Sequence, residues 1–537
     1  MRLACILSAS AALLSTGGSV TRAAAIGSLE SLPELTVRVS QGWVHGKIDN
    51  STSSVRQFLG IPYGQPPIGA LRFASPQPAT NFGSREATEL PPSCMQFLQM
   101  HPSTVYTQDV NQFNLQGLNV TGNTSEDCLT LSVWTPTHRN RTSLLPVVIF
   151  IYGGGFATGG QDVPYQNPAQ WVQRAQDLVV VTFNYRLNIF GFPNAAGLPA
   201  DERNPGLLDQ RLAVEWVRDN IAAFGGDPQS ITLWGHSAGG ISVGYYQFAY
   251  PNNPIVSKVI MDSGSEMLAV PMLADPMHTN FTFVADNFGC GGLEPVKELA
   301  CMRGPNVSAA RIEQFIENNN DAFVKTWTGK YIVFRPAVDN VTVFADYTAR
   351  AKAGEIAKIP SILGSNARDG VPFVWLHPNG VNETQAFAVT LVLFFCTTYK
   401  AATNRLAAGL LVYRYIYSGN ISSISPNTYL GAYHSSELPM IFGTQGDYRE
   451  SSLISDVKYQ DDISIAMQDA WGAFASKGAA GMPGQDWPGY ENLENGGDVR
   501  NFALESVVAS TGNTRKMEAL CPAYFQPANA PTTSSAS

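Results

Sequence analysis

The chain has 537 residues, 44% of them hydrophobic and 10% aromatic, which is ample material for a large buried core. Its formal net charge is −9 and it has no basic run, which argues against a nucleic-acid partner. That length accommodates several domains or one large α/β unit.

The first 25 residues read as a secretory signal. Arg2 precedes an apolar stretch from Leu3 to Leu14, and small residues around Ala23–Ala25 offer a cleavage site. Two further features fit a secreted, extracellular protein. Sequons for N-glycosylation occur at Asn50, Asn119, Asn123, Asn140, Asn280, Asn306, Asn340, Asn382 and Asn420. Cys5 leaves with the signal, and the six cysteines that remain favour disulfides in an oxidising compartment. Six cysteines allow 15 connectivities. The simplest is sequential, Cys94–Cys128, Cys290–Cys301 and Cys396–Cys521, and the spacing matches no zinc pattern, so no metal is expected.

Leu35 to Asp49 reads as a polar hairpin. The Gly- and Pro-rich stretch Phe58-Leu59-Gly60-Ile61-Pro62-Tyr63-Gly64 reads as an ordered loop rather than a helix. The stretch between Cys94 and Cys128 has few secondary-structure signals. It carries Met95, Phe97, Leu98 and Met100, and it is either a structural excursion or a lid. Strands are expected at Glu126–Trp134, at the wholly apolar Pro146–Tyr152 that ends in Gly153-Gly154-Gly155-Phe156, and at Leu178–Tyr185. Asn204 to Phe224 reads as a helix with Leu208, Leu212, Val214, Trp216 and Ile221 on one stripe.

Ser230 to Trp234 is a short buried strand that breaks into Gly235-His236-Ser237-Ala238-Gly239. This Gly-x-Ser-x-Gly pattern is the form of a nucleophile elbow, a strand-to-helix turn that lifts a serine hydroxyl above a sheet. Val259–Asp262 and Ile359–Leu363 are further strands. The apolar run Ala386 to Cys396 has about half the residues a membrane span needs and reads as a buried helix, so no membrane anchor is expected. The tail at 526–537 is Pro, Ser, Thr and Ala, expected to be disordered, with no anchor signal. Strands alternating with helices predict an α/β fold with a large, mostly parallel sheet flanked by helices.

Several stretches together resemble the type-B carboxylesterase/lipase family, the cholinesterase-like α/β hydrolases. They are Phe58–Tyr63, Glu126-Asp127-Cys128-Leu129, Tyr152–Phe156, Asn184-Tyr185-Arg186, Phe224–Pro228 and Gly235–Gly240, in the family's order. Weaker matches follow at Gly364–Gly370 and Gly431–His434. The resemblance implies one α/β-hydrolase domain over residues 26–525, a small-molecule ester as substrate, and no cofactor.

The resemblance also implies site roles. Ser237 is the nucleophile and His434, in Gly-Ala-Tyr-His, occupies the family's base position. His45, His101, His138, His278 and His377 lie in poorly matching places, and His236 is expected to pack near the site mouth. Asp369 stands where the family usually has Glu. One methylene shorter, it needs a closer approach to His434; the resemblance implies that it is the triad acid, and a turn aspartate before Gly370 is the lesser alternative. The oxyanion hole falls on the backbone amides of Gly154, Gly155 and Ala238. Ser263 matches a serine that supports the acid, although a strand-end turn explains it equally well.

The leading expectation is a secreted ester hydrolase working through an acyl-enzyme. The alternatives are a lipase with a Cys94–Cys128 lid, a transesterase or acyl transferase on a natural ester, and a non-catalytic binding protein on the same scaffold.

Overall fold

The computed structural model describes residues 34–97, 104–105, 124–137, 143–268, 275–326, 330–425, 427, 429–448, 457–491 and 497–521. The signal segment, the tail at 526–537, most of the Cys94–Cys128 loop, and Asn119, Asn123 and Asn140 lie outside these residues.

Among the described residues, ten strands form one sheet. In chain order they are β1 (Val55–Pro62), β2 (Thr130–Pro136), β3 (Leu145–Ile151), β4 (Val179–Phe183), β5 (Gly226–His236), β6 (Lys258–Asp262), β7 (Ser361–Asn366), β8 (Val412–Tyr417), β9 (Asp498–Leu504) and β10 (Val507–Asn513). Their spatial order is β10-β9-β8-β7-β6-β5-β3-β4-β2-β1. Every pairing from β4 to β9 is parallel, and the antiparallel pairs lie at the two edges. The parallel centre is covered on both faces, which explains its continuous apolar runs: Val147 to Ile151 in β3 are at most 1% exposed. This is the architecture of an α/β hydrolase.

The hairpin expected at the N-terminus is present, with Thr36–Val39 pairing with Gly42–His45. The reading of Phe58–Gly64 as a loop is corrected, because Phe58–Pro62 belongs to β1. An edge strand tolerates what a central one would not. Its register shifts between Phe58 and Ile61, with Gly60 at φ 74°, and Pro62 closes it.

Helix α1 (Pro205–Phe224) precedes β5 as expected, but its buried face is rotated. Val214, Trp216 and Ile221 of the expected stripe are buried, joined by Leu207, Val217 and Phe224, whereas Leu208 and Leu212 are only partly so. The cause is polar. Asp209 turns inward to accept two bonds from the Arg186 guanidinium, at 2.8 and 2.6 Å, and one from the Arg186 N–H at 3.0 Å.

Helix α2 (Ala238–Ala249) follows β5, and α3 (Ala309–Thr326) contributes Ile316 and Asn320 to the wall of the cavity that Ser237 lines. Helix α4 (Glu383–Ala407) is long and apolar enough to cross a membrane, yet Leu391, Phe394, Phe395 and Cys396 are buried in the protein. It is less enclosed than its sequence suggests, since Phe387 is 50% and Leu393 40% exposed. A π-helical turn at Thr390–Phe395 interrupts it.

Disulfides join Cys94 to Cys128, Cys290 to Cys301, and Cys396 to Cys521. Of the described sequons, Asn50, Asn306, Asn340, Asn382 and Asn420 are exposed. Asn280 is partly buried and its Nδ2 donates to the Val333 carbonyl at 2.9 Å.

The Arg186–Asp209 pair is 3% and 0% exposed, so either partner alone would be a buried, uncompensated charge. Asp209→Ala is expected to lower unfolding stability by about 3–5 kcal/mol in chemical denaturation. A loss within ~1 kcal/mol would show that the pair is not the clamp described here.

Candidate active site

Four site elements begin where neighbouring parallel strands end. The glycine loop follows β3, Ser237 follows β5, Ser263 follows β6 and Asp369 follows β7. Crevices form there because the connections diverge as they leave the sheet.

Ser237 sits between β5 and α2 at φ 55° and ψ −120°, a conformation that costs energy in any L-residue. The two motif glycines make this turn possible. A Cβ on Gly235 would lie 2.2 Å from the Gly239 carbonyl oxygen, and one on Gly239 would lie 2.0 Å from that of Ile151. The Ser237 N–H donates to the Asp262 carbonyl at 2.8 Å, which ties the turn to β6. In the glycine loop, Gly154 and Gly155 have φ of 109° and 59°, and a Cβ on Gly153 would meet the Ser237 Cβ at 2.8 Å. Gly154, Gly155 and Ala238 line the same cavity as Ser237 and His434.

The stem of the Cys94–Cys128 loop is fastened to this glycine loop. The Gln96 amide donates to the Gly159 carbonyl and accepts from its N–H, both at 2.8 Å. Phe97 lines the cavity. The lid expectation, with Leu98 and Met100, falls outside the described residues.

Asp369 and His434 meet at the edge of the cavity that Ser237 and His434 line. His434 Nδ1 lies 2.8 Å from Asp369 Oδ1. Asp369 Oδ2 accepts from the Ser263 hydroxyl at 2.9 Å and from the Asn366 N–H at 2.7 Å. The shorter acid reaches the imidazole because its loop is drawn against the histidine loop. Arg368 N–H donates to the Ala432 carbonyl at 3.0 Å, and Asn366 Nδ2 to the Tyr433 carbonyl at 2.8 Å. On the other side, Gly370 N–H donates to Thr390 Oγ1 at 2.8 Å, at the start of the π turn of α4. That turn also brings Phe394 to within 4.8 Å of the His434 ring, centre to centre.

Two residues acquire a place that sequence reading did not give them. His236 is 2% exposed, so it is not at the mouth; it lines the inner wall of the cavity, its ring 4.6 Å from that of His434. Its Nε2 lies 3.4 Å from Oε1 of Glu437, which is fully buried and also accepts from Asn366 Nδ2. The available signal was positional: Glu437 stands three residues after His434 in the same tight turn.

Three buried carboxyls, Asp262, Asp369 and Glu437, therefore share this interior. Burial raises the pKa of Asp262 well above the ordinary range, with Glu437 adding to it. Burial, then the neighbouring Asp369, pushes Glu437 up to about 8. Burial also raises Asp369, while its Asn366 and Ser263 donors pull it back. Both acids are pushed up to about 8, but Asp369 accepts from three donors and Glu437 from one side chain, Asn366, so the geometry favours the negative charge on Asp369. Burial lowers the pKa of both imidazoles, with His434 as a second cause for His236, so both are held neutral. Among the described residues no group of three or more His, Cys, Asp or Glu could hold a metal ion.

This geometry can support acyl transfer, and comparisons with known proteins agree. The model of the carboxylesterase family matches residues 33–391. The chain is 45% identical over 444 residues to a chlorogenic acid esterase of Aspergillus niger, covering 82% of each chain. It is 37% identical over 518 residues to secreted lipase 5 of Gibberella zeae, covering 92% of this chain and 94% of that one. It is 31% identical over 372 residues to a mouse cholinesterase, covering 68% of this chain and 58% of that one. The chain belongs to the carboxylesterase family and is a carboxylic ester hydrolase of the carboxylesterase/lipase type.

The raised pKa of Glu437 makes a linkage prediction. Between its unfolded value, about 4.5, and its folded value of about 8, the native state holds a proton that the unfolded chain releases, so this group's contribution to stability falls as pH rises through that window. Glu437→Gln replaces the protonated acid with a neutral near-isostere and removes that slope. Denaturation at pH 5 and pH 8 is expected to show the variant gaining on the parent at the higher pH; an unchanged difference would mean Glu437 is ionised in the native protein.

Proposed function

We propose that the protein is a secreted serine ester hydrolase, one domain over residues 26–525, whose cycle runs through an acyl-enzyme on Ser237. Ser237 Oγ attacks the ester carbonyl carbon as His434 Nε2 takes its proton. The carbonyl oxygen becomes an oxyanion held by the N–H groups of Gly154, Gly155 and Ala238. Collapse breaks the ester C–O bond, and the leaving alcohol takes the proton from His434. Water then attacks the acyl carbon, giving a proton to His434, which returns it to Ser237 Oγ as the acid leaves. Asp369 fixes the imidazole tautomer and stabilises the imidazolium, with Ser263 holding Asp369 in turn.

The observation that carries this reading is the 2.8 Å contact between Asp369 and His434 directly behind a cavity that Ser237 and both loop glycines line. Secretion rests on the signal-like first 25 residues, the three disulfides and the similarity to a secreted lipase.

The substrate reading is a compact ester with an aromatic part. The cavity has a volume of about 370 Å³ and aromatic walls that include Phe97, Tyr165, Phe334 and Phe394. The similarity to a chlorogenic acid esterase supports it. A lipase is the second reading, favoured by the apolar mouth: Phe373 and Leu393 line the cavity while 42% and 40% exposed.

Hydrolysis of chlorogenic acid and of p-nitrophenyl esters from two to sixteen acyl carbons tests these readings. Turnover of chlorogenic acid and of short chains is expected. Ser237→Ala abolishes turnover and fluorophosphonate labelling, and Asp369→Asn lowers kcat about 10⁴-fold. A rise towards long chains above the micellar threshold selects the lipase. Labelling at Ser237 without turnover of any of these esters points to a transferase needing another acyl acceptor. The absence of both labelling and turnover in the parent enzyme would refute the proposal.

A further inference from the structure

The walls of the Ser237 cavity are nearly free of charge, with one exception. Among the described residues that line it, Arg335 is the one permanent cation, and no Asp or Glu lines it. Arg335 forms no ion pair among the described residues; of its five donors, Nη1 alone is engaged, on the adjacent Phe334 carbonyl at 3.1 Å. Asp275 shares a small cleft with Arg335, but its oxygens accept from the N–H groups of Met277 and Asn280 and from the Thr279 hydroxyl. Among the described residues the guanidinium is thus partly buried without a counter-charge, an arrangement that costs stability and that a leucine or methionine would avoid.

The side chain is also placed with care. On one side of it, Asn320 bonds both the N–H and the carbonyl of Ile332, at 2.8 and 2.9 Å. On the other, Asn204 bonds both the N–H and the carbonyl of Ala337, at 2.9 and 2.8 Å. Asp339 then caps the following turn by accepting from the N–H groups of Val341, Thr342 and Val343. The backbone carrying Arg335 is therefore fixed from both sides. Its Nη2 lies 3.6 Å from the position a Cβ would take on Gly155, beside the amides assigned to the oxyanion. Burial pulls the Arg335 pKa down, with the Tyr331 and Tyr185 phenols acting the other way, but a guanidinium remains protonated at any working pH.

A planar, pre-positioned, unpaired fork inside a substrate cavity matches one ligand chemistry best, the bidentate carboxylate. We propose that Arg335 reads a carboxylate carried on the substrate close to its scissile ester, so that the enzyme selects anionic esters over their neutral counterparts. The same charge repels cationic esters. This rests on the ester-hydrolase reading of the cavity. A guanidinium that acted on the oxyanion itself would help every ester alike, and this difference makes the two roles separable.

The test uses the mature enzyme and two matched substrate pairs. Chlorogenic acid and its methyl ester place the charge on the alcohol side of the ester bond; mono-4-nitrophenyl glutarate and its methyl ester place it on the acyl side. The parent enzyme is expected to prefer the anionic member of at least one pair, and which pair shows it tells which side of the ester faces Arg335. In Arg335→Met the anionic-to-neutral ratio of kcat/KM falls about 10- to 100-fold, through KM, as loss of a charge-assisted hydrogen bond implies. Arg335→Lys, which keeps the charge but not the fork, retains part of the ratio and serves if the methionine variant does not fold.

Unchanged ratios in both variants, or equal losses on charged and neutral esters, overturn the Arg335 assignment while leaving the hydrolase reading intact. A parent enzyme that prefers the neutral member of both pairs also overturns it. No turnover of any of the four esters overturns this assignment, and the p-nitrophenyl ester series then tells whether the hydrolase reading fails with it.

Discussion

Asp369 is a carboxylate in an interior that offers it no cation. Its charge is tolerated because three donors converge on it, from a peptide N–H, a serine hydroxyl and an imidazole, and because the two other acids nearby, Asp262 and Glu437, are pushed towards their neutral forms. Each part of that arrangement comes from a different stretch of chain. Asn366 ends β7, Ser263 follows β6, and His434 and Glu437 lie in the loop beyond β8. The acid loop, the histidine loop and the sheet end must be in register before any of these bonds can form. The local fold and the placement of one negative charge are therefore a single constraint.

Close approach of backbones is what makes that register possible. The Ser237 turn presses against β3 and β6, and glycines stand where a side chain would enter a neighbouring carbonyl. Positive φ at Ser237 and at Ser263, 55° and 46°, shows backbone held in unfavourable conformations on two adjacent strand ends. Such strain persists because the parallel strands beneath, buried on both faces, fix the strand ends that bound each turn.

This separates what the sequence discloses from what it hides. The elbow, the triple glycine and the central strands are legible because local backbone geometry dictates residue type at fixed spacing: Gly235 and Gly239 cannot be anything larger. The β1 strand was hidden by its own Gly60 and Pro62, which are tolerable only at an edge, and edge position is a property of the whole sheet. The inward turn of Asp209 was hidden because its partner Arg186 lies on another element. Glu437, the deep placement of His236, and the unpaired state of Arg335 belong to the same class. Each is defined by what a distant loop does or does not bring to it. Spacing along the chain cannot register an absent counter-charge.

The charges around Ser237 then form a pattern with a direction. Ser237 shares its cavity with the glycine loop, the Arg335 guanidinium and a neutral His434, which has the Asp369 carboxylate behind it. In acyl transfer, negative charge moves towards the amides while positive charge moves onto the imidazole. On the proposed cycle the loop amides answer the negative charge and Asp369 the positive one, while Arg335, set for a carboxylate on the substrate, takes no part in that displacement. His236 and Glu437 fit the same logic. Held neutral, they fill the space behind the imidazole without offering a charge that would compete with Asp369 for the proton on His434.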